Sequence, residues 1–141
     1  MTPSAPIFEL RNLAFSWPDA MGNAGRGKPV FRDLNFSLTD SEKIGLYGPN
    51  GCGKTTLLKL ITGLLTPQSG DVCFEGKPVK TEAEFRGLRC AVGYVLQNAE
   101  DQLFFPEVIE DVSFGPLNLG RSQAEALKDA EETLETLGLS A

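Results

Sequence analysis

Gly48-Pro49-Asn50-Gly51-Cys52-Gly53-Lys54-Thr55-Thr56 constrains this chain more than any other stretch. It fits G-x-x-x-x-G-K-[ST] with a second threonine added, a pattern that cradles phosphate when it joins a strand to a helix. The flanks supply that setting. Lys43-Ile44-Gly45-Leu46-Tyr47 reads as a short strand, and Leu57, Leu58, Ile61, Leu64 and Leu65 recur at the spacing of one helix face. Thr66-Pro67-Gln68-Ser69-Gly70 is expected to end that helix.

The residue types follow from the chemistry of a triphosphate, which offers many acceptor oxygens and several negative charges. Backbone N–H groups from Gly51 to Thr56 converge on such oxygens only if no side chains intervene, and the glycines keep that approach open. The helix that follows directs its positive end at the same group. Asn50, Gly51, Cys52, Gly53, Lys54, Thr55 and Thr56 are therefore the candidate nucleotide-binding residues. Lys54 is expected to reach the β- and γ-phosphates. Thr55 is expected to hold Mg²⁺ through its hydroxyl, and Thr56 to meet a phosphate nearer the sugar. The competing reading is a glycine turn that caps a helix and binds nothing. Cys52 lies inside the loop, so a bulky thiol adduct there should obstruct nucleotide.

With 141 residues, 41% of them hydrophobic, the chain is long enough for one domain with a core. Its net charge of −6 and lack of a basic run disfavour electrostatic binding to nucleic acid. The polar, proline-bearing start Met1-Thr2-Pro3-Ser4-Ala5-Pro6 does not read as a secretory signal, and the apolar run Leu57 to Leu65 is too short to span a bilayer. Cys52, Cys73 and Cys90 are odd in number and far apart, which suits reduced thiols better than a disulfide framework or zinc site. Histidine is absent, so no histidine in this chain serves as acid, base or ligand.

The rest of the chain places these residues. Ile7 to Trp17 alternates in places, with Leu13, Phe15 and Trp17 on one parity, and Val30 to Leu38 resumes strand-like alternation after a polar loop. The two read as a hairpin. Trp17, at the strand end, either stacks on a purine base or packs as a core aromatic. Asp71 to Glu75 reads as a strand and Glu75-Gly76-Lys77-Pro78 as a turn. Thr81 to Glu84 matches a capping box opening a short helix toward Arg89. Ala91 to Leu96 is apolar on both faces, as in a buried strand, and runs into Gln97. Read from the residues alone, Gln97 is either a solvated amide or one that reaches a metal-bound phosphate and orients water. Pro106 begins a helix predicted to end at Gly115-Pro116. Ser122 to Glu125 is a second capping box, followed by a helix with Leu127, Ala130, Leu134 and Leu137 on one face and Gly138 as its stop.

The order of these features resembles the ATP-binding subunit of ABC transporters across essentially the whole chain. Gly48 to Thr56 is similar to the Walker A loop in its form G-P-N-G-x-G-K-[ST]-T. The Leu13 to Pro18 stretch resembles the segment carrying the adenine-stacking aromatic, which falls on Trp17. Gln97 stands at the position of the Q-loop glutamine, which in the family contacts Mg²⁺ and sits at the contact with membrane subunits. Gln97 to Phe104 and Glu110 to Pro116 resemble the energy-coupling-factor branch, which takes up cobalt, nickel or vitamins. The resemblance implies an α/β fold: a partial P-loop NTPase core over 43–97, a β-rich adenine-side subdomain over 1–42, and the start of a helical subdomain over 98–141. It also implies ATP and Mg²⁺ as ligands, transmembrane importer subunits and a second ATP-binding subunit as partners, and a peripheral place on the cytoplasmic face of the membrane.

The signature loop L-S-G-G-Q, the Walker B strand with its catalytic glutamate, the D-loop and the switch histidine of that family are absent from the sequence. The resemblance thus covers the N-terminal half of a nucleotide-binding domain, and the chain by itself is expected not to hydrolyse ATP. A P-loop small-molecule kinase is the first alternative, disfavoured by the β-rich opening and the lack of an arginine-rich lid. A non-hydrolytic nucleotide-binding or interaction module is the second.

Overall fold

The computed structural model describes residues 5–23 and 27–139. Two compact units divide the chain, Met1–Gly93 and Tyr94–Ala141.

The first unit is built on a hairpin of β1 (Pro6–Ser16) and β2 (Pro29–Thr39). β3 (Ser69–Phe74) and β4 (Lys77–Val79) complete a four-stranded sheet in the order β2-β1-β3-β4, antiparallel throughout. The β1 alternation is interrupted because it carries an irregularity at Arg11-Asn12, where Asn12 takes φ 49° and the register shifts. Phe8 and Leu10 are buried on one parity, and Leu13 and Phe15 on the other, so the bulge keeps all of them on the core. The Glu75-Gly76 turn has positive φ at both residues, the twist that suits a two-residue hairpin. It lets Lys77–Val79 pair back on β3, where the sequence reads only as a turn.

Two helices cover this sheet. α1 (Lys54–Ile61) buries Thr56, Leu57 and Leu60, and α2 (Glu82–Ala91) buries Phe85 and Leu88. These leucines and Phe85 join Phe8, Leu10, Leu13, Phe15, Val72 and Val79 in one cluster. An eight-residue helix is marginal alone. Burial of Leu57 and Leu60, each worth about 2 kcal/mol, holds α1 in place.

α1 is shorter than its apolar spacing implies. It stops at Ile61 because Gly63 turns left-handed at φ 71°, and the Leu64 amide donates to the Lys59 carbonyl at 2.8 Å. A methyl at Gly63 would lie 2.2 Å from Phe85 Cδ1, so glycine also lets α2 pack against this helix end. The Thr81 capping box forms as the sequence indicates, with Glu84 accepting from the Thr81 amide at 2.8 Å. Hydrogen bonds from the Thr81 and Lys80 amides hold the Glu84 carboxyl below the usual carboxylate range.

Two predicted strands are not strands. Lys43 to Tyr47 has no regular structure, with Ile44 50% and Tyr47 103% exposed. Ala91 belongs to α2, and the residues after it are irregular, with Val95 80% exposed. A strand exists through its neighbours, and among the described residues none pairs with either segment.

The second unit holds a short 3-10 turn at Ala99–Gln102, α3 (Val108–Asn118) and α4 (Gln123–Thr136). α3 runs through Gly115-Pro116 rather than ending there. α4 has the expected Ser122 capping box and ends at Leu137 with Gly138 left-handed. It buries Ala126 and Ala130, whereas Leu127 and Leu137 are exposed, so its packed stripe is narrower and smaller than the leucine face the sequence indicates.

Candidate functional site

The glycine loop lies between residue 47 and α1 in the first unit. Gly51 and Gly53 take φ of 80° and 104°, a region that side chains disfavour. A methyl at Gly53 would stand 2.6 Å from Val30 Cγ1 and 3.0 Å from Phe31 Cζ, so the loop rests directly on the start of β2. At Gly51 an added methyl would meet nothing within 4 Å. The loop is thus packed on one side and open on the other.

α1 begins without a cap. Its N-cap is Gly53, no side chain bonds its first turn, and no acidic residue stands there. α2 and α4, by contrast, are each closed by a complete capping box. The first amides of any helix lack partners within it, and with the helix dipole they form an anion site. Lys54 is the first residue of α1, the end at which a cation is unfavourable for the helix itself. That placement makes sense if the cation serves an anion brought to the loop. The Lys54 ammonium is held over the loop by donating to the Gly48 carbonyl at 2.7 Å and the Pro49 carbonyl at 2.9 Å. Cys52 is exposed, with Sγ 3.8 Å from Lys54 Nζ. Thr55 is exposed and Thr56 buried beneath it. Asn50 is exposed at the loop turn. Open glycines, uncapped amides and one cation fit a polyphosphate.

Trp17 is tied to this loop through the hairpin. Phe31, against which Gly53 rests, pairs across the strands with Phe15. The Phe15 ring meets the Trp17 indole edge-on, with centroids 5.3 Å apart and planes at 84°. Phe15 is core, while Trp17 remains 43% exposed. The Trp17 indole is packed on the core by one contact and keeps a substantial exposed surface.

Gln97 lies in the second unit, exposed, just before the 3-10 turn. Two further features there escaped sequence reading. Asp111 Oδ1 accepts from the Phe104 amide at 2.9 Å and the Phe105 amide at 3.1 Å, fastening the segment before α3. Phe104 and Phe105 then meet Phe114 at 6.1 and 5.6 Å, and Phe105, Phe114, Leu117 and Leu127 line a groove of about 230 Å³. The acid in the first turn of α3 was the visible signal for Asp111. In the first unit, Gln68 was also missed: its side chain binds the backbone of Ser16, which no periodicity signals.

Among the described residues no His, Cys, Asp or Glu cluster forms a metal site, and no helix is long and apolar enough to cross a membrane.

Comparison with known proteins places the chain in a family. The energy-coupling factor transporter ATP-binding protein EcfA of Methanothermobacter thermautotrophicus is 41% identical over 135 residues, 95% of this chain and 41% of its own length. The cobalt import ATP-binding protein CbiO of Rhodobacter capsulatus is 42% identical over 136 residues, 96% of this chain and 46% of its own. The solved structure of cbiO1 from Clostridium perfringens, part of the ABC transporter complex cbiONQ, superposes with a TM-score of 0.78 at 29% identity. That match covers 95% of this chain and 51% of the solved one. The chain therefore spans about half the length of the relatives it matches. Residues 31–141 match the family model described as ABC transporter, and the chain belongs to that family, with the mixed α/β fold of its ATP-binding subunits.

Proposed function

We propose that the chain forms the adenine- and phosphate-binding part of the ATP-binding subunit of an importer. The observation that carries this reading is the uncapped, acid-free start of α1, with Lys54 held over an open glycine loop. In this reading the Gly51 to Thr56 amides take the phosphate oxygens, Lys54 neutralises the β- and γ-phosphates, and the base stacks on Trp17. The Thr55 hydroxyl would hold Mg²⁺, which when bound would draw charge from the phosphates. Gln97 orients water by donating and accepting without titrating.

The partners follow from the relatives' names. Energy-coupling and cobalt-import ATP-binding proteins support an importer of a metal ion such as cobalt or nickel, or of a vitamin. The cbiONQ complex supports transmembrane subunits as partners. The protein would then sit peripherally on the cytoplasmic face of the membrane, paired with a second, like or related, ATP-binding subunit. The exposed Phe104 and Phe105, fastened by Asp111, are a suitable apolar contact for such subunits.

Binding and turnover separate here. The cradle, Lys54, Thr55 and Gln97 are in the chain, but no general base is recognisable in it. The 141-residue chain mixed with Mg-ATP is expected to release no phosphate above background while still binding nucleotide saturably. Steady phosphate release that disappears in Lys54→Ala would contradict this division of labour.

A further inference from the structure

Gln68 stands just before β3, and its side-chain amide is bonded at both ends to Ser16. Nε2 donates to the Ser16 carbonyl at 2.7 Å, and the Ser16 amide donates to Oε1 at 2.5 Å. Its own backbone amide donates to the Ala14 carbonyl at 2.9 Å. The side chain thus pairs with Ser16 as a residue of a neighbouring strand would. The reason is local. The β1–β3 ladder ends with Ala14 opposite Ser69, and continuing it would place Pro67 opposite Ser16. Proline has no N–H to give. The primary amide of Gln68 supplies the donor that Pro67 lacks, and its oxygen takes the Ser16 amide as well.

Ser16 immediately precedes Trp17. On the other side, the Trp17 carbonyl accepts from the Gly27 amide at 3.0 Å. The backbone on both sides of the indole is therefore held, and the Phe15 ring sets its tilt.

We propose that Gln68 is a positioning residue for the nucleotide base: by clamping Ser16 it holds the Trp17 indole as a fixed stacking platform. This rests on the nucleotide site proposed above. A purely structural clamp would affect the whole fold and both parts of the ligand alike. A positioning role affects only the share of affinity that depends on the base. Stacking of a base on an aromatic is worth about 1–3 kcal/mol, or from about fivefold to about 150-fold in affinity.

The test uses the full 141-residue chain, in which Trp17 is the single tryptophan and so reports its own surroundings. Mg-ATP and Mg-tripolyphosphate are titrated by calorimetry, with Trp17 emission followed in parallel. In the unsubstituted chain ATP should bind about tenfold tighter than tripolyphosphate and change the emission. Gln68→Ala should weaken ATP about fivefold, leave tripolyphosphate unchanged, and add nothing in a Trp17→Ala background. Gln68→Met, which keeps the bulk and has no amide, should read the same if the alanine variant does not fold. An unchanged ATP-to-tripolyphosphate ratio in both Gln68 variants overturns the positioning role alone. If the unsubstituted chain does not distinguish the two ligands, the Trp17 platform itself falls, and if it binds neither, so does the nucleotide site.

Discussion

Lys54→Ala is expected to lower affinity for Mg-ATP on the order of 100-fold, the effect of losing a charge-assisted hydrogen bond to phosphate worth about 3 kcal/mol. The thermal midpoint should move little. Lys54 is only partly buried, and its bonds are to groups of its own loop rather than to the core. Removing a cation from the first turn of α1 relieves an unfavourable interaction with the helix dipole, which offsets part of the lost bonding. Binding and folding should therefore separate in this variant. Tripolyphosphate should lose affinity by the same factor as ATP, because Lys54 serves the phosphates and not the base. A fall in the midpoint that matched the loss of binding would mean that Lys54 holds the loop together rather than the ligand.

Alkylation of Cys52 is expected to abolish nucleotide binding, and bound ATP should protect the thiol from the reagent. Cys52 is exposed, and its sulfur would lie 2.8 Å from a methyl placed at Gly48. The thiol thus leans across the loop beside Lys54, where any adduct would occupy the space of the phosphates. Cys73 will not compete for reagent, because it is 1% exposed and burial raises its pKa, keeping it as the thiol. Cys90 is exposed, so the measurement is made in Cys90→Ser with N-ethylmaleimide and intact mass as the check on labelling. Labelled Cys52 that bound ATP with unchanged affinity would show that the loop does not close on phosphate.

Much of the site was legible because its parts are local. The loop pattern, both capping boxes and the hairpin each depend on residues close in sequence. The failures share one cause. Lys43 to Tyr47 and Ala91 to Leu96 carry strand-like composition, but a strand is defined by a neighbour, and no described residue supplies one. The irregularity at Asn12 breaks the period that would have shown β1 as one continuous face. The early end of α1 at Gly63 depends on the close fit of Phe85, a contact that the leucine spacing cannot show. Gln68 was invisible because its role is to replace a missing N–H at Pro67, which appears only once β1 and β3 are in register.

The glycine loop as a nucleotide cradle is tested most directly by following its backbone amides with NMR during a titration with Mg-ATP. The amide resonances of Gly51, Gly53, Lys54, Thr55 and Thr56 should shift together along one saturation curve, while those of the already capped first turns of α2 and α4 stay in place. Saturable ATP binding that left the Gly51 to Thr56 amides unmoved would contradict the cradle and move the nucleotide elsewhere on the protein.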